Sequence, residues 1–272
     1  MIINHNMNAL NAHRNMGINN TSAGKSMEKL SSGLRINRAG DDAAGLSISE
    51  KMRGQIRGLD QASRNSQDGI SMIQTAEGAL NETHNILQRM RELAVQASND
   101  TNVTADRTAI ANEVEALQEE ITRIATQTEF NTQAMFSSGA TTVTLQVGAN
   151  CGQTISVSFG AMSAGALSVD AMSTAMSTQA GATAAISTIN VALEAVSSER
   201  SKLGAIQNRL EHTIANVNNA SENLTAAESR VRDVDMAKEM MTFSKNNILN
   251  QAAQAMLAQA NQQPQGVLQL LR

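Results

Sequence analysis

The amino-acid sequence predicts a mainly α-helical protein: an elongated coiled-coil bundle formed by the N- and C-terminal halves, with a small β-hairpin in the middle. Two observations predict this fold class: a strict seven-residue apolar repeat and the near absence of helix breakers. One glycine, Gly204, and no proline interrupt that repeat. The repeat predicts a long helix in a left-handed supercoil, and its members are Ile189, Val196, Leu203, Leu210, Val217, Leu224 and Val231.

The partner helices are predicted in the first half of the chain. A second seven-residue series predicts a helix over about 45–98, and its seam includes a serine. A shorter ladder with four-three spacing predicts a third helix after a turn at 99–102. The second helix carries Met52, Leu59, Ser66, Ile73, Leu80, Leu87 and Ala94, and the third carries Ile110, Val114, Leu117, Ile121 and Ile124.

The two ends of the chain predict amphipathic helices whose apolar stripes are thin and whose polar faces are rich in Asn and Gln. Asn is a weak helix former, so we expect these ends to be mobile until they pack with each other and with further copies. Residues 1–44 and 232–272 are therefore predicted to form one discontinuous domain, and 45–231 the other. The candidate assembly residues are Ile3, Met7, Leu10, Leu249, Met256, Leu268 and Leu271.

Between the first end and the bundle, residues 31–45 contain three glycines and an Asp pair, which indicates a connector. Asp41 or Asp42 is the predicted N-cap of the next helix. In the middle, apolar and polar residues alternate in two short runs, which predict a β-hairpin over about 142–159. We expect the hairpin to lie on the end of the bundle and residues 160–183 to form an exposed loop.

Composition argues against several classes of function. The chain has no Trp, no Tyr and four Phe, so a ligand pocket is not expected, and no zinc, Cys-x-x-Cys or nucleophile-elbow motif is found. The sequence indicates no apolar pocket that could shift the pKa of a carboxylate into the range that acid–base catalysis requires. We therefore predict no enzyme activity, cofactor or metal. The lone Cys151 excludes an internal disulfide, and the sequence leaves its burial open.

Partners and compartment are constrained by charge and hydropathy. The net charge of −4 predicts no nucleic-acid binding, although residues 1–40 are basic (five basic residues, one acidic, net +4). That basic arm fits an assembly surface better than RNA or anionic lipid, because no aromatic residues interleave it. No stretch approaches 18 uninterrupted apolar residues, so membrane insertion is not expected, and the N-terminus lacks the pattern of a signal peptide.

Three segments resemble the bacterial flagellin family, and specifically the compact flagellins of Gram-positive bacteria. The likeness covers about residues 1–135 and 185–272. Its N-terminal signature is 31–46 (SSGLRINRAGDDAAGL), its C-terminal signature is 223–236 (NLTAAESRVRDVDM), and the chain end is 259–272 (QANQQPQGVLQLLR).

The resemblance implies an extracellular structural subunit that self-assembles into the flagellar filament for motility. It implies export through the flagellar type III apparatus without a cleaved signal peptide. The implied partners are an export chaperone, a filament cap, hook-associated proteins and the host innate immune flagellin receptor. For that receptor the family's contact pattern falls on 88–94 (QRMRELA), where Arg89 and Leu93 match, and on Glu113 of the neighbouring helix.

Other functions remain open at this point. A hook–filament junction protein would share flagellin-like ends but would be needed in few copies. A soluble helical binding module or secreted effector could use the basic arm to bind a partner, and it would not polymerise. An enzyme would require a pocket that the sequence does not indicate.

Overall fold

The computed structural model describes the backbone of residues 6–137, 139 and 141–270, with side chains up to residue 262. Within this part, the mainly α-helical class is confirmed. The helices are α1 (Met7–Ser32), α2 (Ala43–Ala97), α3 (Thr104–Gln127), α4 (Met172–Ala175), α5 (Gln179–Arg232) and α6 (Met236–Leu270). The strands are β1 (Glu129–Phe130), β2 (Gln133–Ala134), β3 (Thr141–Gln146) and β4 (Thr154–Phe159).

The chain divides into two compact units. Unit 1 is built from the described parts of Met1–Gly54 and Glu222–Arg272, and unit 2 is Gln55–Ser221. The predicted boundaries fell at 44/45 and 231/232, so unit 1 extends ten residues further at each break (54 against 44, and 222 against 232). The chain therefore crosses between the units within α2 and α5, where the sequence gives no break in helical pattern.

The core of unit 2 is formed by the long helices and confirms the predicted seven-residue repeat there. On α5, Ile189, Val196, Leu203, Leu210 and Val217 are buried. They share the core with apolar rows of α2 and α3, where every fourth or third residue points inward. Those rows are Ile73, Leu80, Leu87 and Ala94 on α2, and Ile110, Val114 and Ile121 on α3.

The predicted β-hairpin is present as β3 and β4, paired antiparallel with Val143 opposite Val157. It lies along α2 and α5, so the expectation that it covers the end of the bundle is wrong. Asn65 of α2 donates from Nδ2 to the Gln146 carbonyl at 3.1 Å. Gly58 of α2 closely approaches Ala149, which a Cβ there would meet at 2.9 Å. A helix face that presents glycine can accept a hairpin side-on.

Residues 160–183 are packed, so the prediction of an exposed loop there is wrong. Leu167, Val169, Met172 and Met176 are buried and belong to the unit 2 core. The Gln118 side chain of α3 donates to the carbonyl of Val169. The apolar residues of this segment follow neither a helical nor a strand period, so the sequence pattern does not reveal their burial.

One described helix, α5, is long and apolar enough by composition to cross a membrane, with a mean hydropathy of 1.2 in its most apolar window. The apolar residues of its repeat occupy the core of unit 2, as Ile189 and Val196 show. A core helix of a water-soluble fold passes the same compositional test. The absence of membrane insertion remains a prediction.

In unit 1 the connector is fixed by caps and by a short bridge. Gly33 ends α1 in the left-handed region (φ 71°), and Asp42 caps α2 by accepting from the Gly45 N–H at 2.8 Å. Leu34 forms an antiparallel bridge with Asp233, next to a hydrogen bond from the Arg35 N–H to the Arg232 carbonyl at 2.7 Å. The connector is thereby tied to the junction of α5 and α6.

Candidate functional site

The terminal helices α1 and α6 pack against each other in unit 1. They run antiparallel, since Asn6 at the start of α1 donates from Nδ2 to the Ala260 carbonyl far along α6, at 2.6 Å. On each helix the least exposed residues recur in alternating steps of three and four, the spacing of a coiled-coil seam. This terminal seam comprises Ala9, Ala12, Met16, Asn19, Ala23, Ser26 and Leu30 with Glu239, Phe243, Asn246, Asn250, Ala253, Leu257 and Ala260.

Ten of the fourteen residues of the terminal seam are alanine or polar, and its four large apolar residues, Met16, Leu30, Phe243 and Leu257, are only partly buried, so the seam contributes little apolar burial. On α1 only Ala23 and Ser26 are buried, and among the described side chains of α6 only Ala260 is. The Oδ1 atom of Asn250 is buried without a hydrogen-bond partner. A buried acceptor without a partner opposes the folded state. Pairing of α1 with α6 is therefore weakly stabilised within a single copy.

Most of the large apolar residues of the terminal helices point outward instead. Among the described residues, 14 large hydrophobic side chains are exposed, and ten of them lie on α1 or α6. Exposed apolar surface concentrated in this way marks an interaction site. We name these ten residues the outer apolar set: Met7, Leu10, Ile18 and Met27 on α1, and Met236, Met240, Met241, Ile248, Leu249 and Met256 on α6.

Four of the predicted assembly residues belong to the outer apolar set: Met7, Leu10, Leu249 and Met256. Leu249 and Met256 also line an open groove of about 580 Å³ beside asparagines of α1. Leu268 lies in α6 with its side chain outside the described residues, and Ile3 and Leu271 lie outside them altogether.

Sequence reasoning missed the terminal seam. It selected large apolar residues of each end, yet alanine, serine and asparagine form most of the inner rows. The available signal was the recurrence of small residues at Ala9, Ala12 and Ala23, which hydropathy alone underrates.

The receptor-contact candidates lie on α2 and α3 of unit 2. The Arg89 guanidinium donates to Glu113 Oε1 from Nε at 3.1 Å and from Nη2 at 2.9 Å, and from Nη1 to Glu92 Oε2 at 3.0 Å. These hydrogen bonds, first to Glu92 and then to Glu113, raise the pKa of Arg89 above its ordinary value. The Arg89 and Glu113 side chains are 52% and 45% exposed, so this pair is open to a partner.

Leu93, the third receptor-contact candidate, lies in the core. Its side chain is only 2% exposed, beside the fully buried Met90 on the same helix. A buried leucine cannot offer its side chain to a partner without local opening. Leu93 can instead position the helix turn that carries Arg89. Of the three candidates, the structure therefore brings Arg89 and Glu113 together at the surface, and Leu93 is not part of that surface.

The described residues hold no cluster of three His, Cys, Asp or Glu side chains with metal-binding geometry. The buried carboxylate Glu199 is occupied structurally: it accepts from the Gly160 N–H at 2.9 Å and pairs with Lys202 Nζ at 3.1 Å. Cys151 is exposed in the turn of the hairpin, which settles the alternative that the sequence left open.

Two family models match the chain. The N-terminal helical region of bacterial flagellin matches residues 3–141, and the C-terminal helical region matches residues 186–271. A flagellin from Halalkalibacterium halodurans is 66% identical over 272 residues, with all of both chains covered. A flagellin from Bacillus subtilis is 54% identical over 304 residues, again with full coverage of both chains.

A solved structure from Vibrio parahaemolyticus, assigned to the flagellar hook-associated proteins, resembles this chain with a TM-score of 0.60 at 14% identity. The likeness covers 71% of this chain and 100% of that one, and it concerns the fold alone. The identity with full-length flagellins is far higher and reaches both ends. The chain therefore belongs to the bacterial flagellin family, and it is a self-assembling structural subunit of the extracellular flagellar filament rather than an enzyme.

Proposed function

We propose that this flagellin polymerises by burying the outer apolar set of α1 and α6 against neighbouring copies. The observation that supports this most is the placement of large apolar residues on the terminal pair: ten of them face away from the seam, whereas only four lie in it. A stable single copy would arrange them the other way round. A second copy of the chain would supply the missing apolar partner.

The free energy available from apolar burial is comparable with the cost of association, about 4–15 kcal/mol. Full burial of a large apolar side chain contributes roughly 1.5–3 kcal/mol, and about half of each side chain is still exposed here, so covering one contributes about 1 kcal/mol. Ten such residues give on the order of 10 kcal/mol per subunit. This gain has to exceed the loss of rotational and translational freedom on association. The terminal helices can therefore supply most of the free energy that holds neighbouring subunits together.

The test is the critical concentration for polymerisation of Leu10→Gln and of Ile248→Gln. Each change places an amide where the proposal needs an apolar contact, so we expect about a tenfold rise, equivalent to about 1.4 kcal/mol. Val103→Gln is the matched control, because Val103 is 62% exposed, close to Ile248 at 64%, but lies in unit 2. Equal effects of all three substitutions, or no effect of Leu10→Gln and Ile248→Gln, would contradict the proposal.

Deletion of residues 233–272 is a second test of the same proposal. The core of unit 2 lies wholly outside the deleted segment, so the truncated chain should remain soluble and helical. It should form no filaments at any concentration, because α6 and its share of the outer apolar set are gone. Filaments of the truncated chain in electron micrographs would refute the proposal.

A second proposed function is recognition of the free subunit by the host innate flagellin receptor through Arg89 and Glu113. The supporting observation is the exposed ion pair between Arg89 of α2 and Glu113 of α3, which are joined by two hydrogen bonds. An exposed pair of this kind stabilises a fold little, so its geometry is available for a partner. A guanidinium flanked by two carboxylates also offers directional hydrogen bonds.

Binding of the purified receptor ectodomain to monomer separates this role from packing. Arg89→Gln and Glu113→Gln should each weaken binding by about tenfold while the helical signal is unchanged, since loss of one interfacial charge partner costs about 1–2 kcal/mol. Arg123→Gln is the control, because Arg123 forms a similarly exposed pair with Glu120 on α3. Unchanged affinity of the two test variants would exclude Arg89 and Glu113 as contacts.

We further propose export through the flagellar type III apparatus without a cleaved signal peptide, and binding of an export chaperone, a filament cap and hook-associated proteins. The exposed Met240, Met241 and Ile248 on α6 support a chaperone, because such a surface needs cover before assembly. The intact mass of subunits from shed filaments tests the export proposal. A mass short by an N-terminal segment would contradict it.

A further inference from the structure

The methionines of unit 2 and those of the outer apolar set differ sharply in exposure. In unit 2, Met72, Met90, Met135, Met162, Met172 and Met176 are at most 7% exposed. In unit 1, the six methionines of the outer apolar set are 49–68% exposed, and they lie on both terminal helices: Met7, Met27, Met236, Met240, Met241 and Met256.

We propose that these six exposed methionines form an oxidation-sensitive modification site, at which conversion of the thioethers to sulfoxides blocks polymerisation of the subunit. The inference rests on the proposed function, because it requires the outer apolar set to be buried between copies. It adds a chemical control of assembly: a peroxide acts on the free subunit, and the assembled subunit is protected.

The chemistry requires no activating residue. The thioether sulfur attacks one oxygen of hydrogen peroxide, the O–O bond breaks, a sulfur–oxygen bond forms, and water leaves after proton transfer. Sulfur is oxidised by two electrons and the peroxide is reduced. Access therefore decides which methionines react, and exposed thioethers react before buried ones.

The sulfoxide changes the surface in the way that matters for assembly. A flexible apolar side chain becomes polar, and its new oxygen demands a hydrogen bond if it is buried. Met256 is 62% exposed, so under the proposed function a sulfoxide there would be buried against an apolar surface of a neighbouring copy. Burying a polar oxygen without a donor opposes association.

The experiment uses full-length monomer carrying Cys151→Ser, because the exposed thiol of Cys151 would also react with peroxide. Monomer is treated with hydrogen peroxide, the oxidised sites are mapped by peptide mass spectrometry, and the critical concentration is measured by light scattering. We expect the six exposed methionines to be oxidised, with Met7, Met241 and Met256 first, while Met90 and Met176 are spared. The critical concentration should rise at least tenfold, and methionine sulfoxide reductases should reverse the rise.

A variant in which all six exposed methionines of the outer apolar set are replaced by leucine keeps the apolar surface but removes the six thioethers. We expect it to polymerise with or without peroxide treatment. Full oxidation of the six methionines without a change in critical concentration would overturn the proposal. So would resistance of these methionines to peroxide, or an equal loss of assembly in the sixfold variant after peroxide treatment. Untreated protein that fails to polymerise would overturn the proposed function itself, and this inference with it.

Discussion

Replacing Asn250 by leucine should strengthen the pairing of α1 with α6 inside a single copy. Asn250 lies in the terminal seam, and its Oδ1 atom is buried without a hydrogen-bond partner. Such an acceptor costs about 1–3 kcal/mol. Leucine removes that cost and adds apolar burial of about 1 kcal/mol at this half-buried position. Allowing for an imperfect fit, we expect the local opening free energy of α6 to rise by about 2 kcal/mol.

Amide hydrogen exchange measures this change directly. A rise of about 2 kcal/mol slows exchange of the α6 amides about thirtyfold, provided that the protein is kept below its critical concentration. Asn247→Leu is the matched control, because Asn247 lies on the exposed side of the same helix turn. The reasoning is refuted if Asn250→Leu leaves exchange over residues 236–262 unchanged, or if Asn247→Leu slows it equally.

Two further outcomes are expected. Phe159→Ala should lower the free energy of unfolding by about 4 kcal/mol, measured in urea titrations followed by circular dichroism. The reason is that Phe159 is fully buried and packs edge-on against Phe136, with 6.0 Å between the ring centroids. A loss below about 1 kcal/mol would contradict this prediction. Backbone N–H donors of Arg38 and Asn37 lower the pKa of Asp41 below its ordinary 3.8. Its contribution to stability is therefore present above that pH and disappears as the pH falls through the lowered pKa; an NMR titration midpoint at or above 3.8 would contradict this.

The helical framework was predictable from sequence because large aliphatic residues carry its signal. The repeat at Ile189, Val196 and Leu203 specifies both a helix and its buried face, and the structure has that face in the core. Hydropathy fails where burial is achieved by small residues. The terminal seam uses mostly Ala, Ser and Asn, so the assembly stripe was assigned to the larger Met7 and Leu10, which point outward.

The packing of residues 160–183 was hidden for a different reason. Val169 and Met176 are buried through an irregular path in which tertiary contacts, such as the Gln118 hydrogen bond, decide the conformation. The candidate receptor-contact residues were likewise only partly predictable from sequence. Arg89 and Glu113 could be paired from a family pattern, whereas the burial of Leu93 follows from the helical register of a core that sequence alone does not place in space.

The bridge between Leu34 and Asp233 also has a consequence for timing. The two segments of unit 1 come from opposite ends of the sequence, so a ribosome has to finish almost the whole polypeptide before that unit can fold. Until then α1 has no α6 to pack against. Contacts between residues so far apart in sequence form slowly. During this delay unit 1 of the newly made subunit is open, so the chain can still be threaded through a narrow channel and depends on its surroundings for protection.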